Sequence, residues 1–188
     1  MKTQGLLIFS LLVAGALFAQ EKPYSCSLKV ENPKVQSSKS TTGGKAKGNG
    51  RSNTEIETTT RTMHCETKVS FRGKEIPTGI KLNYFFTGRT DEGVVTSLGR
   101  KSVDVKLDEK GEFKTDIVSG PAVWTEKKTK SRGRRGGTRS EGSGTRIGGC
   151  VIQLLVGDKV ERVYTSKPAW KKLAEKYPLP EAEIMKLR

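Results

Sequence analysis

Apolar and polar residues alternate with a period of two through most of the chain, and this alternation favours half-buried β-strands. In the first such run Cys26, Leu28 and Val30 share one face, and the runs 63–71 and 80–86 repeat the pattern. Short glycine-containing turns separate the runs. Counting them gives about eight or nine strands, which predicts an all-β, antiparallel β-sandwich.

Residues 166–188 change to a helical pattern. Ser166 is expected to cap a short amphipathic helix, Pro178 to end it, and Pro180 to open a further turn that carries Ile184. We expect the helix to dock on the edge of the sandwich, or alternatively to bind a partner with its tryptophan as the anchor. Its apolar stripe has the spacing i, i+3, i+4 and i+7 and consists of Trp170, Leu173, Ala174 and Tyr177.

Residues 1–19 have the layout of a secretory signal peptide. Lys2 precedes an apolar run from Leu6 to Phe18 that is too short to span a bilayer, and small residues then lead up to Ala19. Export to the periplasm, the outer membrane or the exterior is therefore expected. Residues 20–165 are predicted to form the sandwich, and no transmembrane anchor is predicted in the mature chain because no second apolar segment reaches membrane length.

Positive charge concentrates in two glycine- and serine-containing segments of a chain whose formal net charge is +15. Residues 36–54 contain four Lys or Arg and no acid, and residues 129–146 continue the dense basic run that begins at Lys127. Both segments lack large apolar residues, so both are predicted to be mobile loops between strands. The polar run 54–62 is expected to extend its strand beyond the core as a ribbon.

The second basic segment is the strongest functional signal in the sequence. A multivalent cationic loop is expected to bind acidic proteins, glycans or lipopolysaccharide. Nucleic acid is disfavoured, because the segment has no aromatic residue for base stacking and because export removes most such roles. The alternative is a solvated spacer without a partner. The candidate polyanion-binding residues are Lys127, Lys128, Lys130, Arg132, Arg134, Arg135, Arg139 and Arg146.

Three cysteines remain after the leader, and each lies on the apolar face of its strand. At most one intrachain disulfide is therefore expected. Cys65–Cys150 is favoured because it closes a long loop, which would stabilise the fold by about 4 kcal/mol. Cys26–Cys65 is the second choice. The remaining thiol is expected to be a buried apolar residue or to form an intermolecular link.

The sequence offers little for catalysis. His64 is the one histidine, and its neighbours Met63 and Cys65 belong to the inward face, so His64 is expected to point outward. Adjacent strand residues face opposite ways, which argues against a His64–Cys65 dyad. No nucleophile elbow, phosphate-binding loop or metal-binding motif occurs. We therefore expect no catalytic residue, metal or cofactor.

The strand pattern and the inward cysteines of Tyr24–Thr165 resemble those of immunoglobulin-like and fibronectin type III sandwiches. The run Leu82–Phe86 looks like their central strand, although it lacks the tryptophan of antibody domains. The chain is also similar in layout to small secreted immunoglobulin-like proteins of Gram-negative bacteria, some of them associated with pili or adhesins. The resemblance implies a non-catalytic interaction module of the cell envelope. The alternative is a structural subunit of an envelope assembly, joined through strand edges or the C-terminal helix.

Overall fold

A computed structural model of the protein describes residues 23–44, 52–131 and 138–187. These residues form nine antiparallel strands followed by a short helical segment. The helical segment consists of a 3-10 turn at Pro168–Trp170, α1 at Lys171–Ala174 and α2 at Glu181–Lys186. The strands are β1 (Tyr24–Val30), β2 (Lys34–Gly44), β3 (Ser52–Gly73), β4 (Ile80–Thr90), β5 (Val95–Asp104), β6 (Glu112–Val118), β7 (Ala122–Ser131), β8 (Thr138–Val156) and β9 (Lys159–Thr165).

Two layers of strands form the sandwich. One layer has the order β1–β3–β6, with β3 contributing its second half, and the other has the order β9–β8–β4–β5. The alternating apolar side chains of both layers meet between them, among them Val69, Phe71, Leu82 and Ile152. This arrangement confirms the prediction of an all-β, antiparallel sandwich with a short C-terminal helix.

Two strands are long enough to leave the sandwich. β3 has 22 residues and β8 has 19. The first half of β3 pairs with β2 on one side and β7 on the other, and β7 also pairs with the start of β8. The result is a four-stranded extension with the order β2–β3–β7–β8, which we call the arm.

The arm corrects the prediction of two mobile basic loops. Residues 36–44, 52–54, 129–131 and 138–146 lie in strands, whereas 45–51 and 132–137 fall outside the described residues. For the residues that lie in strands the prediction was wrong, because it considered only whether the segments could bury apolar surface. Serine and threonine also suit a pleated sheet, and here each new strand adds to a ladder that the sandwich core already anchors. The predicted ribbon at 54–62 is confirmed.

The C-terminal segment covers the outer face of the β4–β8 layer. Trp170, Ala174 and Ile184 are buried there against Phe85 and Val151, which forms a second apolar core. This core explains why the β4 and β8 sequences are apolar on both faces at these positions.

A buried amide fixes the path of this segment. Gln153 on β8 donates hydrogen bonds from Nε2 to the carbonyl oxygens of Ala174 at 2.7 Å and Lys176 at 2.8 Å. Ala174 is the last residue of α1 and Lys176 lies two residues beyond it, so the amide supplies donors to backbone acceptors at the end of the helix, which the helix itself leaves unpaired. No helix in the described ranges is long and apolar enough to cross a membrane.

Several details of the helical prediction were wrong. The segment docks on a sheet face rather than an edge, and Tyr177 is 46% exposed although it was assigned to the apolar stripe. Ser166 caps no helix, because its Oγ accepts a hydrogen bond from the backbone N–H of Cys150 at 2.9 Å. Trp170 is 1% exposed and so is not a partner anchor. The predicted turn after Pro180, with Ile184 packed inward, is confirmed.

Replacing Trp170 by alanine tests the second core. We expect Trp170→Ala to lower the free energy of unfolding by about 3–5 kcal/mol, because a large buried ring leaves a cavity. Chemical denaturation followed by circular dichroism measures the change. Tyr177→Ala is the matched control, since that ring is largely exposed, and it should change stability little. Equal losses in the two variants would contradict this packing.

Candidate anion-binding arm

One face of the arm continues the inward face of the sandwich and carries a ladder of paired charges. The Glu57 carboxylate lies 2.8 Å from Lys39 Nζ on β2 and 2.9 Å from Lys128 Nζ on β7. Its side chain is only 17% exposed. The hydrogen bonds from Lys39 and then Lys128 hold the pKa of Glu57 at about 2. The ladder therefore ties three strands of the arm together.

The same ladder accounts for one of the predicted polyanion-binding residues. Hydrogen bonding to Glu57 raises the pKa of Lys128, and Glu126 lies 3.7 Å from the same amine. Lys128 is thus engaged inside the arm and less available to a ligand than its neighbours. Lys127 projects from the opposite face and is exposed, as strand alternation requires.

The remaining candidate cations are spread over both faces of the arm. Lys130 is exposed near the free end, on the same face as Lys128. Arg139 pairs with Glu141 at 2.9 Å on the opposite face. Arg146 lies at the foot of the arm with its guanidinium over the Trp124 ring. Arg132, Arg134 and Arg135 lie outside the described residues. The described candidates therefore do not converge on one pocket.

The strand register brings the two basic segments to the same end of the arm. Gly44 lies opposite Thr54, Ser52 opposite Ser131, and Lys130 opposite Thr138. The connections 45–51 and 132–137 therefore both begin and end at the free end of the arm. Together they contain six cations and no acid, namely Lys45, Lys47, Arg51, Arg132, Arg134 and Arg135.

Sequence reasoning treated these segments as two separate loops and did not predict that their flanking strands pair with each other. They are about 80 residues apart, and only the β3–β7 pairing joins them. Trp124 and Arg89, which line the foot of the arm, were missed as well. The one indication in the sequence was that Trp124 lies shortly before the basic run. Its place at the foot of the arm could be recognised only from the register of β7 with β8.

The outward face of the arm is dominated by hydroxyl groups. Few charges interrupt it, and the apolar residues Ile56 and Val123 are partly exposed among the hydroxyls. This face therefore gives the arm a polar surface. The residues with hydroxyls on this face are Ser38, Ser40, Thr42, Thr54, Thr58, Thr60, Thr62, Thr125, Thr129 and Ser143.

The three cysteines lie in the main core, as their inward positions predicted. Cys65 on β3 and Cys150 on β8 face each other across the two layers, with the sulfurs 3.7 Å apart and no covalent bond. The hydrogen bond to Cys65 and then burial raise the pKa of the Cys150 thiol. Cys26 is buried on β1. The sandwich thus brings together the pair that the sequence favoured.

Tyr84 occupies the central strand of the same core, in the run where antibody domains place tryptophan. Burial raises the pKa of its hydroxyl to about 12, so the phenol is neutral at physiological pH.

His64 points outward, as predicted. Its Nδ1 lies 3.3 Å from Asp116 Oδ2 on β6, on the outer surface of the first layer. Cys65 points into the core, so the two side chains do not form a dyad. In the described part of the chain no group of three or more His, Cys, Asp or Glu side chains is placed to hold a metal ion.

No family model, curated protein or solved structure matches this chain. Its fold is an all-β sandwich, and its distinguishing feature is the arm.

The charge ladder predicts the titration of Glu57. Because the folded-state pKa is lowered from 4.5 to about 2, the ladder stabilises the arm above pH 4.5 and this contribution is lost as the pH falls through about 2. NMR titration of the Glu57 carboxyl measures the midpoint. In Lys39→Gln and in Lys128→Gln the midpoint should rise. A midpoint near 4.5 in the parent protein would contradict the ladder.

Proposed function

We propose that this protein is a non-catalytic, exported interaction module of the cell envelope that binds acidic partners through the free end of its arm. The observation that supports the proposal is the register of Ser52 with Ser131, because the strands that flank both cation-rich connections end at the same end of the arm. Separate loops would each offer a weak charge cluster, whereas neighbouring ones present a multivalent surface.

The distribution of charge supports the arm as the binding element. Its four strands carry eight cations and four acids, and the two connections add six cations without an acid. Most of the +15 formal charge therefore belongs to the arm. Several strand cations are paired with Glu57, Glu126 and Glu141, whereas the sequences of the two connections contain no acid.

The chemistry of this end favours polyanions with repeated charges. Acidic glycans, lipopolysaccharide phosphates and acidic protein surfaces all offer several anions within the reach of six cations. Nucleic acid is a weaker fit, because neither connection contains an aromatic residue for base stacking. The similarity in layout to small secreted bacterial immunoglobulin-like proteins adds a pilus-associated or adhesive role to the proposal.

A structural subunit joined through strand edges is the second candidate. In the described part of the chain, β2 pairs only with β3, so its outer edge is open along 11 residues. Such an edge can accept a strand from another chain. Pairing through the C-terminal helix is disfavoured, because Trp170 and Ile184 are used within the chain itself.

Neutralising the connections tests polyanion binding at the arm. Replacing Lys45, Lys47, Arg51, Arg132, Arg134 and Arg135 by glutamine should weaken binding to heparin at least tenfold and flatten its dependence on salt. Affinity is measured by calorimetry or surface plasmon resonance at several salt concentrations.

The matched control neutralises six exposed lysines outside the arm and should weaken binding much less; these are Lys29, Lys74, Lys81, Lys101, Lys106 and Lys110. Equal losses of affinity in the two variants would show that binding depends only on the overall positive charge of the protein, and this would contradict the proposal. Sedimentation of the parent protein tests the second candidate, a structural subunit. Oligomers formed through strand edges should persist at high salt, whereas polyanion binding should weaken.

Export through an oxidising compartment should convert the thiol pair into a disulfide. We expect protein purified from the periplasm to lack two hydrogens and to yield a Cys65–Cys150 peptide, with Cys26 free. Reduction should lower the free energy of unfolding by about 4 kcal/mol. The double variant Cys65→Ala, Cys150→Ala should lose this sensitivity to reductant, whereas Cys26→Ala should keep it. A bridge that contains Cys26 would refute the assignment.

A further inference from the structure

A cavity of about 660 Å³ lies at the foot of the arm, where β7 and β8 leave the sandwich. We call it the basal cleft. Three cations line it, Arg89 on β4, Arg146 on β8 and Lys167 after β9, together with a single carboxylate, that of Asp91. The lining thus carries two more positive than negative charges.

The two arginines are placed side by side by the sheet itself. Arg89 lies directly opposite Arg146 in the β4–β8 register, so both side chains project from the same face. Like charges in this position repel each other unless an anion lies between or beside them. Within the described residues no carboxylate comes within 4.0 Å of either guanidinium or of the Lys167 amine.

Packing holds both guanidinium groups in place. The Arg146 guanidinium carbon lies 3.8 Å from the centre of the Trp124 ring, a cation–π contact. Trp124 in turn lies flat against β8 at Gly142, where a Cβ atom would come within 2.5 Å of the indole. Arg89 donates from Nε to the carbonyl oxygen of Gly93 at 3.3 Å. Each arginine therefore keeps its terminal N–H donors for another acceptor.

A β-bulge shapes the wall of the cleft. The β4–β8 register shifts between Thr87 and Gly88, which leaves Gly148 without an opposite residue. A Cβ at Gly148 would lie 2.9 Å from Thr87 Oγ1, so glycine lets the two backbones come close. Bulges bend a strand and redirect its side chains, and this one lies between the sandwich and the arm next to Arg89 and Arg146.

We propose that the basal cleft binds a doubly charged oxyanion, a sulfate or phosphate group, with Arg89 and Arg146 as two neighbouring forks and Lys167 as a third donor. Guanidinium groups match oxyanions because their N–H donors diverge in one plane at the spacing of two oxygens. A dianion also balances the excess of two positive charges in the lining. The cleft is separate from the connections at the free end of the arm, so this site does not depend on the function proposed above.

Titration with inorganic sulfate and phosphate at constant ionic strength tests the cleft. NMR chemical shifts of the Arg89, Arg146 and Trp124 side chains should change in a saturable way in the full-length protein. We expect Arg89→Gln and Lys167→Gln each to weaken binding several-fold and Arg146→Gln to weaken it about tenfold or more. Arg146→Lys keeps the charge but loses the fork, so it should also bind more weakly.

The matched control is Arg72→Gln, an exposed arginine on β3 that lies outside the cleft, and its affinity should equal that of the parent. Amide spectra recorded without anion establish that each variant is folded. If Arg146→Gln disrupts the arm, Arg89→Gln and Lys167→Gln decide the question, because neither side chain contacts Trp124 in a ring interaction. The absence of saturable binding, or an equal loss in Arg72→Gln, would overturn the proposal.

The source of the oxyanion is separated by a further comparison. A free ion should bind as tightly as a sulfated disaccharide if the cleft recognises the oxyanion alone, whereas tighter binding of the disaccharide assigns it to a glycan. The protein with neutralised connections should keep its affinity for inorganic sulfate. Loss of that affinity would mean that the anion binds at the free end of the arm. It would refute the proposal that the cleft binds the anion, whether or not this variant has also lost its affinity for heparin.

Discussion

The burial of β3 against β8 across the sandwich is the interaction on which the rest of the structure depends. Cys65 and Val69 of β3 meet Cys150, Ile152 and Leu154 of β8 in one core, where apolar burial supplies most of the stabilisation. Both strands continue past this core into the arm. Because each strand is fixed at one end by close packing, the polar half at the other end needs only a ladder of hydrogen bonds and cross-strand pairs to keep its form.

The arm and the basal cleft follow from this anchoring. Glu57 joins three strands through Lys39 and Lys128, which replaces the missing apolar core with internal charge pairs. The register then sets where the excess cations go. The strands that flank both basic connections end together at the free end of the arm, while Arg89 and Arg146 lie opposite each other at its foot. One sheet thus determines the position of two cationic regions, one next to the free end of the arm and the other in the cleft at its foot.

Local pattern predicted the sandwich well but failed where no apolar face exists. The alternation of apolar and polar residues around Cys65, Leu82 and Ile152 predicted the core correctly, because every second side chain of a strand faces the core. In the C-terminal segment the spacing of Trp170 and Ala174 predicted burial, but Tyr177 followed the same spacing and remains exposed because helix α1 ends at Ala174. The polar strands of the arm show no apolar alternation that could have predicted them. Their hydroxyl-rich sequences are compatible both with loops and with a sheet that is exposed on both faces.

By itself the sequence determined the all-β class, the inward cysteines, the outward His64 and the concentration of positive charge. Each of these is a property of one strand or one segment, and a period of two or a local charge count is enough to read it. Only the tertiary structure decided that the basic segments adjoin the same end of an arm, that Arg89 faces Arg146, and that Trp170 closes a second core. These depend on pairings between residues far apart in the chain, and such pairings are selected by the packing of the whole sandwich rather than by any local preference.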